Sequence, residues 1–142
     1  KDTAANIEAS GEFVVNLVSE AIAEQMNVCA TDFPAGHSEI EAAGLEVVAS
    51  ADVKPPRIAA SPVNFESRHV QTLRIGNNRT IVGQIVRMHI RDDLVDTHKL
   101  HVDTAALHLI GRMGGGGGYV RTSDRFEIPR VSYAQWLARQ TS

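Results

Sequence analysis

Residues 63–90 decide the fold class: Val63-Asn64-Phe65-Glu66-Ser67-Arg68-His69-Val70-Gln71-Thr72-Leu73-Arg74-Ile75-Gly76-Asn77-Asn78-Arg79-Thr80-Ile81-Val82-Gly83-Gln84-Ile85-Val86-Arg87-Met88-His89-Ile90. Two long β-rich runs, Val63 to Ile75 and Thr80 to Ile90, flank the tight polar turn Gly76-Asn77-Asn78, the pattern of a β-hairpin. In the second arm Ile81, Gly83, Ile85, Arg87 and His89 alternate with Val82, Gln84, Val86, Met88 and Ile90, and a period of two sends these sets to opposite faces. The even-numbered set is the more continuously apolar.

Upstream of the hairpin, Lys54-Pro55-Pro56-Arg57 cannot lie inside a helix or a central strand, because paired prolines remove two backbone donors; it reads as a fixed extended connector. Leu45 to Val48 reads as a short strand. Ser38-Glu39-Ile40-Glu41 has the spacing of a capping box, opening one helical turn that Gly44 closes, and Thr31 to Gly36 is a turn-rich surface excursion. Ser19 is expected to cap a helix over Glu20 to Met26, and Glu12 to Val18 to form a mostly buried strand. Asp2 or Thr3 caps a short helix from Ala4 to Ala9 that Gly11 stops. Downstream, Asp103 or Thr104 is a cap for the helix formers Ala105-Ala106-Leu107, Tyr119 to Thr122 and Phe126 to Ile128 are short strands, and Ser132 to Gln140 is an amphipathic helix carrying Trp136. The class is mainly β with short helices, α+β in type, with no internal repeat.

At 142 residues the chain suffices for one domain, and 43% hydrophobic with 22% charged residues fits neither a disordered nor a fibrous protein. The net charge of −3, with Lys and Arg dispersed, gives no basic surface for nucleic acid or anionic lipid. The single cysteine, Cys29, excludes an intrachain disulfide framework and a multi-cysteine metal site; it is expected to be a small buried residue in a reducing cytoplasm. No run approaches the roughly 20 apolar residues of a membrane span, and no charged-then-apolar leader opens the chain, so a cytoplasmic location without membrane attachment is expected. The chain begins with Lys1 at a helix start, which suggests an upstream segment.

Few motifs carry chemistry by themselves. Gly114 to Gly118 is followed by no Lys-Ser or Lys-Thr and lacks the strand-then-helix setting of a dinucleotide fingerprint, so it reads as a flexible loop. His98 and His101 could share a metal only with a third ligand, and no metal is expected. Lys1-Asp2-Thr3 is more informative: a cation and a hydroxyl beside the unpaired amides of a helix start can hold a phosphate, although the same residues also serve as an ordinary cap.

Read together, Lys1 to Ile7, Gly11 to Val18, Ala43-Gly44-Leu45, Val53 to Ile58, Ser61 to Glu66, Gly83 to Ile90, and Gly111 to Gly115 with Tyr119 resemble the flavin reductase-like family with the FMN-binding split barrel. The resemblance runs from Lys1 to about Arg130. It implies a Greek-key split β-barrel, here lacking its N-terminal strands, with residues 1–130 as the C-terminal portion of the domain and 131–142 as a C-terminal helix. It also implies a homodimer that binds FMN and passes a hydride from NADH or NADPH to the flavin, in some members for a flavin-dependent oxygenase. Lys1 and Thr3 would contact the FMN phosphate with Asp2 and Asn6 nearby, while Arg112 and Tyr119, and less directly His89, would lie near the flavin or nicotinamide. The five glycines exceed the pair in the family pattern. Hydride transfer between nicotinamide and flavin needs orientation and shielding rather than an acid or base, so no catalytic residue is named. An electron-transfer flavoprotein, or a barrel dimerisation module without flavin, are the other classes the sequence leaves open.

Overall fold

The computed structural model describes residues 2–34 and 36–140. The chain runs α1 (Asp2–Ser10), β1 (Glu12–Asn16), a 3-10 turn (Glu20–Ile22), α2 (Ala23–Val28), α3 (Glu39–Ala42), β2 (Val47–Val48), β3 (Arg57–Ile58), β4 (Val63–Ile75), β5 (Asn78–Ile90), a second 3-10 turn (Asp92–Leu94), β6 (Val95–Asp96), β7 (His101–Val102), β8 (Ile110–Arg112), β9 (Tyr119–Arg121) and α4 (Tyr133–Gln140). The strands form one three-stranded antiparallel sheet, ordered β1-β4-β5, and three two-stranded ribbons, β2-β3, β6-β7 and β8-β9. Among the described residues no barrel closes. No helix among them is long and apolar enough to cross a membrane.

The hairpin forms as its sequence dictates. Ile75 pairs with Asn78 across Gly76-Asn77, and Gly76 has a φ of 58°, the left-handed backbone that glycine adopts without Cβ strain. Two register shifts, at Glu66/Ser67 and His69/Gln71, skip Val86 on one arm and Val70 on the other. They break the alternation expected of β5: Met88 and Ile85 lie on one face, and of the even-numbered set only Val86 and Ile90 are even half-buried.

Pairing gives the sheet two unlike faces, since directly paired residues share a side. On one lie Asn16, Asn64 and His89, then Val14, Glu66 and Arg87, then Glu12, Arg68 and Gln84. On the other, Phe13 covers Gly83 so closely that a Cβ there would stand 2.3 Å from the ring. The core sits at the Val63–Ile90 end, where Val63, Leu94 and Leu107 are buried and Leu17, Phe65 and Leu109 pack against them.

Several local expectations change. Ser19 makes no side-chain cap; it is buried and bridges to Leu109, and a 3-10 turn precedes a shorter α2. Ser38 does cap α3, its hydroxyl accepting from the Glu41 N–H at 3.2 Å. Asp103 accepts from the Ala105 and Ala106 amides, yet no helix follows, because Leu107 turns into the core and His108 takes a φ of 46°. Phe126 and Ile128 are 84% and 83% exposed and form no strand. Cys29 is half-buried rather than buried, and desolvation raises its thiol pKa.

Candidate functional site

The start of α1 opens onto a cleft of about 430 Å³ lined by Asp2, Thr3 and Asn6 on one side and by residues from Cys29 to Ile40 on the other. Thr3 and Asn6 are exposed, a turn apart on the helix, and offer a hydroxyl and an amide beside the first-turn N–H groups. Asp32 and Glu39 join Asp2 as carboxylates on the rim, with His37 opposite in sign when protonated. An anion therefore has favourable partners at Thr3, Asn6 and the helix amides, not around the whole wall. Lys1, the cation expected to complete the phosphate contacts, lies outside the described residues. Thr3, Asn6 and Ile40 also line an apolar groove of about 930 Å³, together with Ile7, Phe13, Val14 and Pro55. A polar cleft and an apolar groove thus meet along one helix.

Arg112 and Tyr119 stand opposite each other in the β8–β9 ribbon, brought together by the glycine loop. The Arg112 guanidinium donates to the Tyr119 hydroxyl at 2.9 Å and the Gly115 carbonyl at 3.1 Å, and sits 5.0 Å from the Tyr119 ring centroid. The loop closes with a Met113 N–H to Gly118 carbonyl bond of 2.9 Å. The Tyr119 hydroxyl also approaches Met26 Sδ of α2 at 3.9 Å, one turn before Cys29 of the α1 cleft. Neither Arg112 nor Tyr119 lines that cleft itself.

His89 lies elsewhere, at the polar face of the sheet, in a cleft of about 320 Å³ with Arg57, Asn64 and Arg91. Its Nε2 is 2.6 Å from Oε1 of Glu66, a side chain with 0% exposure. The Glu66 oxygens also accept the Ala51 N–H at 2.8 Å and the Asp52 N–H at 2.6 Å. Burial alone would raise the Glu66 pKa, but these two amide bonds and His89 outweigh it and hold the carboxyl at about 2. Glu66 is therefore ionised, and the His89 Nε2 must be the protonated nitrogen that donates to it.

The same face holds the proline connector throughout. Arg87 donates to Asp52 Oδ2 at 2.7 Å, the Lys54 N–H to Glu12 at 3.0 Å, and the Ile58 N–H to Asn16 Oδ1 at 3.0 Å.

The family model described as Flavin reductase like domain matches residues 1–114. The chain belongs to that family. A protein of Deinococcus radiodurans is 50% identical over 137 residues, covering 96% of this chain and 60% of the relative. The solved 2-nitrobenzoate 2-nitroreductase of Pseudomonas fluorescens is 36% identical with a TM-score of 0.84, covering 93% of this chain and 66% of that one. A protein of Shewanella frigidimarina described as a flavin reductase with a split barrel domain superposes with a TM-score of 0.80 at 23% identity, over 92% of this chain and 66% of that one, a likeness of fold. This flavin reductase-like chain thus shares its fold with split-barrel neighbours, closes no barrel among its described residues, and spans about 60% of the length of its Deinococcus relative.

Within the flavin reductase-like fold, the sequence reading named Asp2, Thr3, Asn6, Arg112, Tyr119 and His89, and the structure distributes them over three places. It missed Glu66 and Arg57. Counting residues back from the Gly76-Asn77 turn places Glu66 opposite Arg87 and Asn64 opposite His89, since the two bulges cancel, but that count does not reveal that Glu66 is buried.

Proposed function

We propose that this chain is the C-terminal portion of an FMN-binding flavin reductase that takes a hydride from NADH or NADPH. The observation that carries the reading, beside family membership, is the meeting of a polar cleft and an apolar groove at Thr3 and Asn6. A ligand with a phosphate at one end and a flat apolar ring at the other matches that pairing. Thr3, Asn6 and the first-turn amides of α1, with Lys1, would hold the phosphate, and Ile7, Phe13 and Val14 would shield the ring from water. FMN bound there supplies the hydride-accepting chemistry. Arg112 holds the Tyr119 ring in place, and that ring is proposed to orient the nicotinamide against the flavin. Residues 131–142 are proposed as a helical tail to the domain. A second copy of the chain and a flavin-dependent oxygenase are the partners that the family resemblance implies.

The test is an anaerobic visible spectrum of the full-length, FMN-loaded protein before and after NADH or NADPH is added. Rapid bleaching of the flavin band is the expected result. A flavin band that persists would make the protein a binding or electron-transfer flavoprotein, and failure to retain FMN would overturn the reading altogether.

A further inference from the structure

We propose that the cleft between β3 and the end of β5 binds an oxyanion, the phosphate or carboxylate group of a small ligand, through Arg57, His89 and Arg91. The cleft is lined by these three side chains with Ser61 and Asn64, and no carboxylate is among its described lining residues. The α1 cleft, by contrast, carries three.

Two carboxylates stand beside this cluster, Glu66 against Arg57 and His89 and Asp93 against Arg91, and among the described residues each guanidinium keeps its Nη1 clear of a carboxylate. Glu66 is fully buried behind His89, its oxygens occupied by two backbone amides and the imidazole, and it stands 3.9 Å from Arg57 Nε. Arg57 spends Nε and Nη2 on the Ala49 carbonyl, which fixes the guanidinium plane and leaves Nη1 with a long 3.5 Å contact to Asn64 Oδ1. Arg91 is held outside by Asp93 at 2.6 Å. His89 donates its Nε2–H to Glu66, so Nδ1 is the ring nitrogen left for a ligand, and it donates to an oxyanion when the imidazole carries both protons. Two guanidinium groups and an imidazole, each held by a named partner around a cleft of about 320 Å³, form a preorganised receptor for a planar or tetrahedral oxyanion. Arg57 and His89 face Glu66, whereas Arg91 lines the same cleft without touching that carboxylate.

This inference stands apart from the flavin reading and is tested on flavin-free protein. Uniformly 15N-labelled protein is titrated with inorganic phosphate, and separately with benzoate, at constant ionic strength. Saturable amide shifts confined to residues 57–64 and 89–91 are expected. Arg57→Gln and Arg91→Gln should each raise the half-saturation concentration about tenfold, whereas Asp93→Asn, which frees Arg91, should lower it severalfold. Arg91 is exposed, so its variant keeps the test valid if Arg57→Gln disturbs the fold. Saturation by phosphate alone assigns a phosphate-bearing ligand and by benzoate alone a carboxylate-bearing one. Shifts that grow without saturating, that saturate at the α1 cleft instead, or that ignore both arginine substitutions would overturn the proposal.

Discussion

Glu66 does most to organise the polar face. Its ordinary carboxyl pKa of 4.5 falls to about 2 in the folded chain, so the stabilisation it brings is complete above about pH 4.5 and is lost as the pH falls toward 2. That difference corresponds to roughly 3 kcal/mol. Chemical denaturation at a series of pH values should show this acid-side loss in the native protein and a matching reduction of it in Glu66→Gln; parallel curves would remove Glu66 as its source. Thr3 sits at the opposite extreme, exposed and without a structural task in the core. In the full-length protein Thr3→Ala is expected to leave the melting temperature unchanged and to weaken FMN binding by roughly 1.5–3 kcal/mol, about 10- to 150-fold in Kd, through loss of a charge-assisted phosphate bond. A flavin fluorescence titration checks this, and equal affinities would take Thr3 out of the site.

Among the elements, the β8–β9 ribbon shows how five glycines serve a defined structure: Arg112 clamps the loop by the Gly115 carbonyl and stacks on Tyr119. Tyr119→Ala should slow flavin reduction about tenfold while leaving FMN affinity within about twofold, because the ring is proposed to orient the nicotinamide and not to hold the phosphate. Anaerobic stopped-flow gives the rate, and an unchanged rate would dissociate Tyr119 from the reaction. The elements also show what the sequence made legible. The β4–β5 hairpin, its turn, α1, the Ser38 cap and α4 were readable because each rests on local chemistry: β-branched runs, a glycine with positive φ, a hydroxyl three residues before an amide. The failures are tertiary. Ala105-Ala106-Leu107 has helical propensity, but burying Leu107 requires a turn; Ser19 is a good cap drawn instead into a bridge with Leu109. The helix start at Asp2 and Thr3 was legible from its cap residues, whereas the environment of Glu66 was not, because its partners at Ala51, Asp52 and His89 come from segments 14 to 23 residues away.

For the molecule as a whole, order is concentrated at one end of the sheet. The Val63–Ile90 end carries the core, while Val70, Ile75, Val82 and Ile85 at the other end stay exposed, as do Phe126, Ile128 and Tyr133. Residues 123–131 contain no helix or strand. Limited trypsin digestion should therefore cut first at Arg125 or Arg130, releasing the α4 segment and leaving the three-stranded sheet intact; first cleavage within β4 or β5 would contradict this distribution of order. One further consequence follows from the strand order β1-β4-β5. Among the described residues strand β1 is hydrogen-bonded to another strand on one side only, so the other side of Glu12–Asn16 presents a row of backbone donors and acceptors, with Val14 and Val15 among them. Such a row is a template. During refolding of this stretch of sequence at high protein concentration, β1 is therefore the strand expected to seed intermolecular β-association.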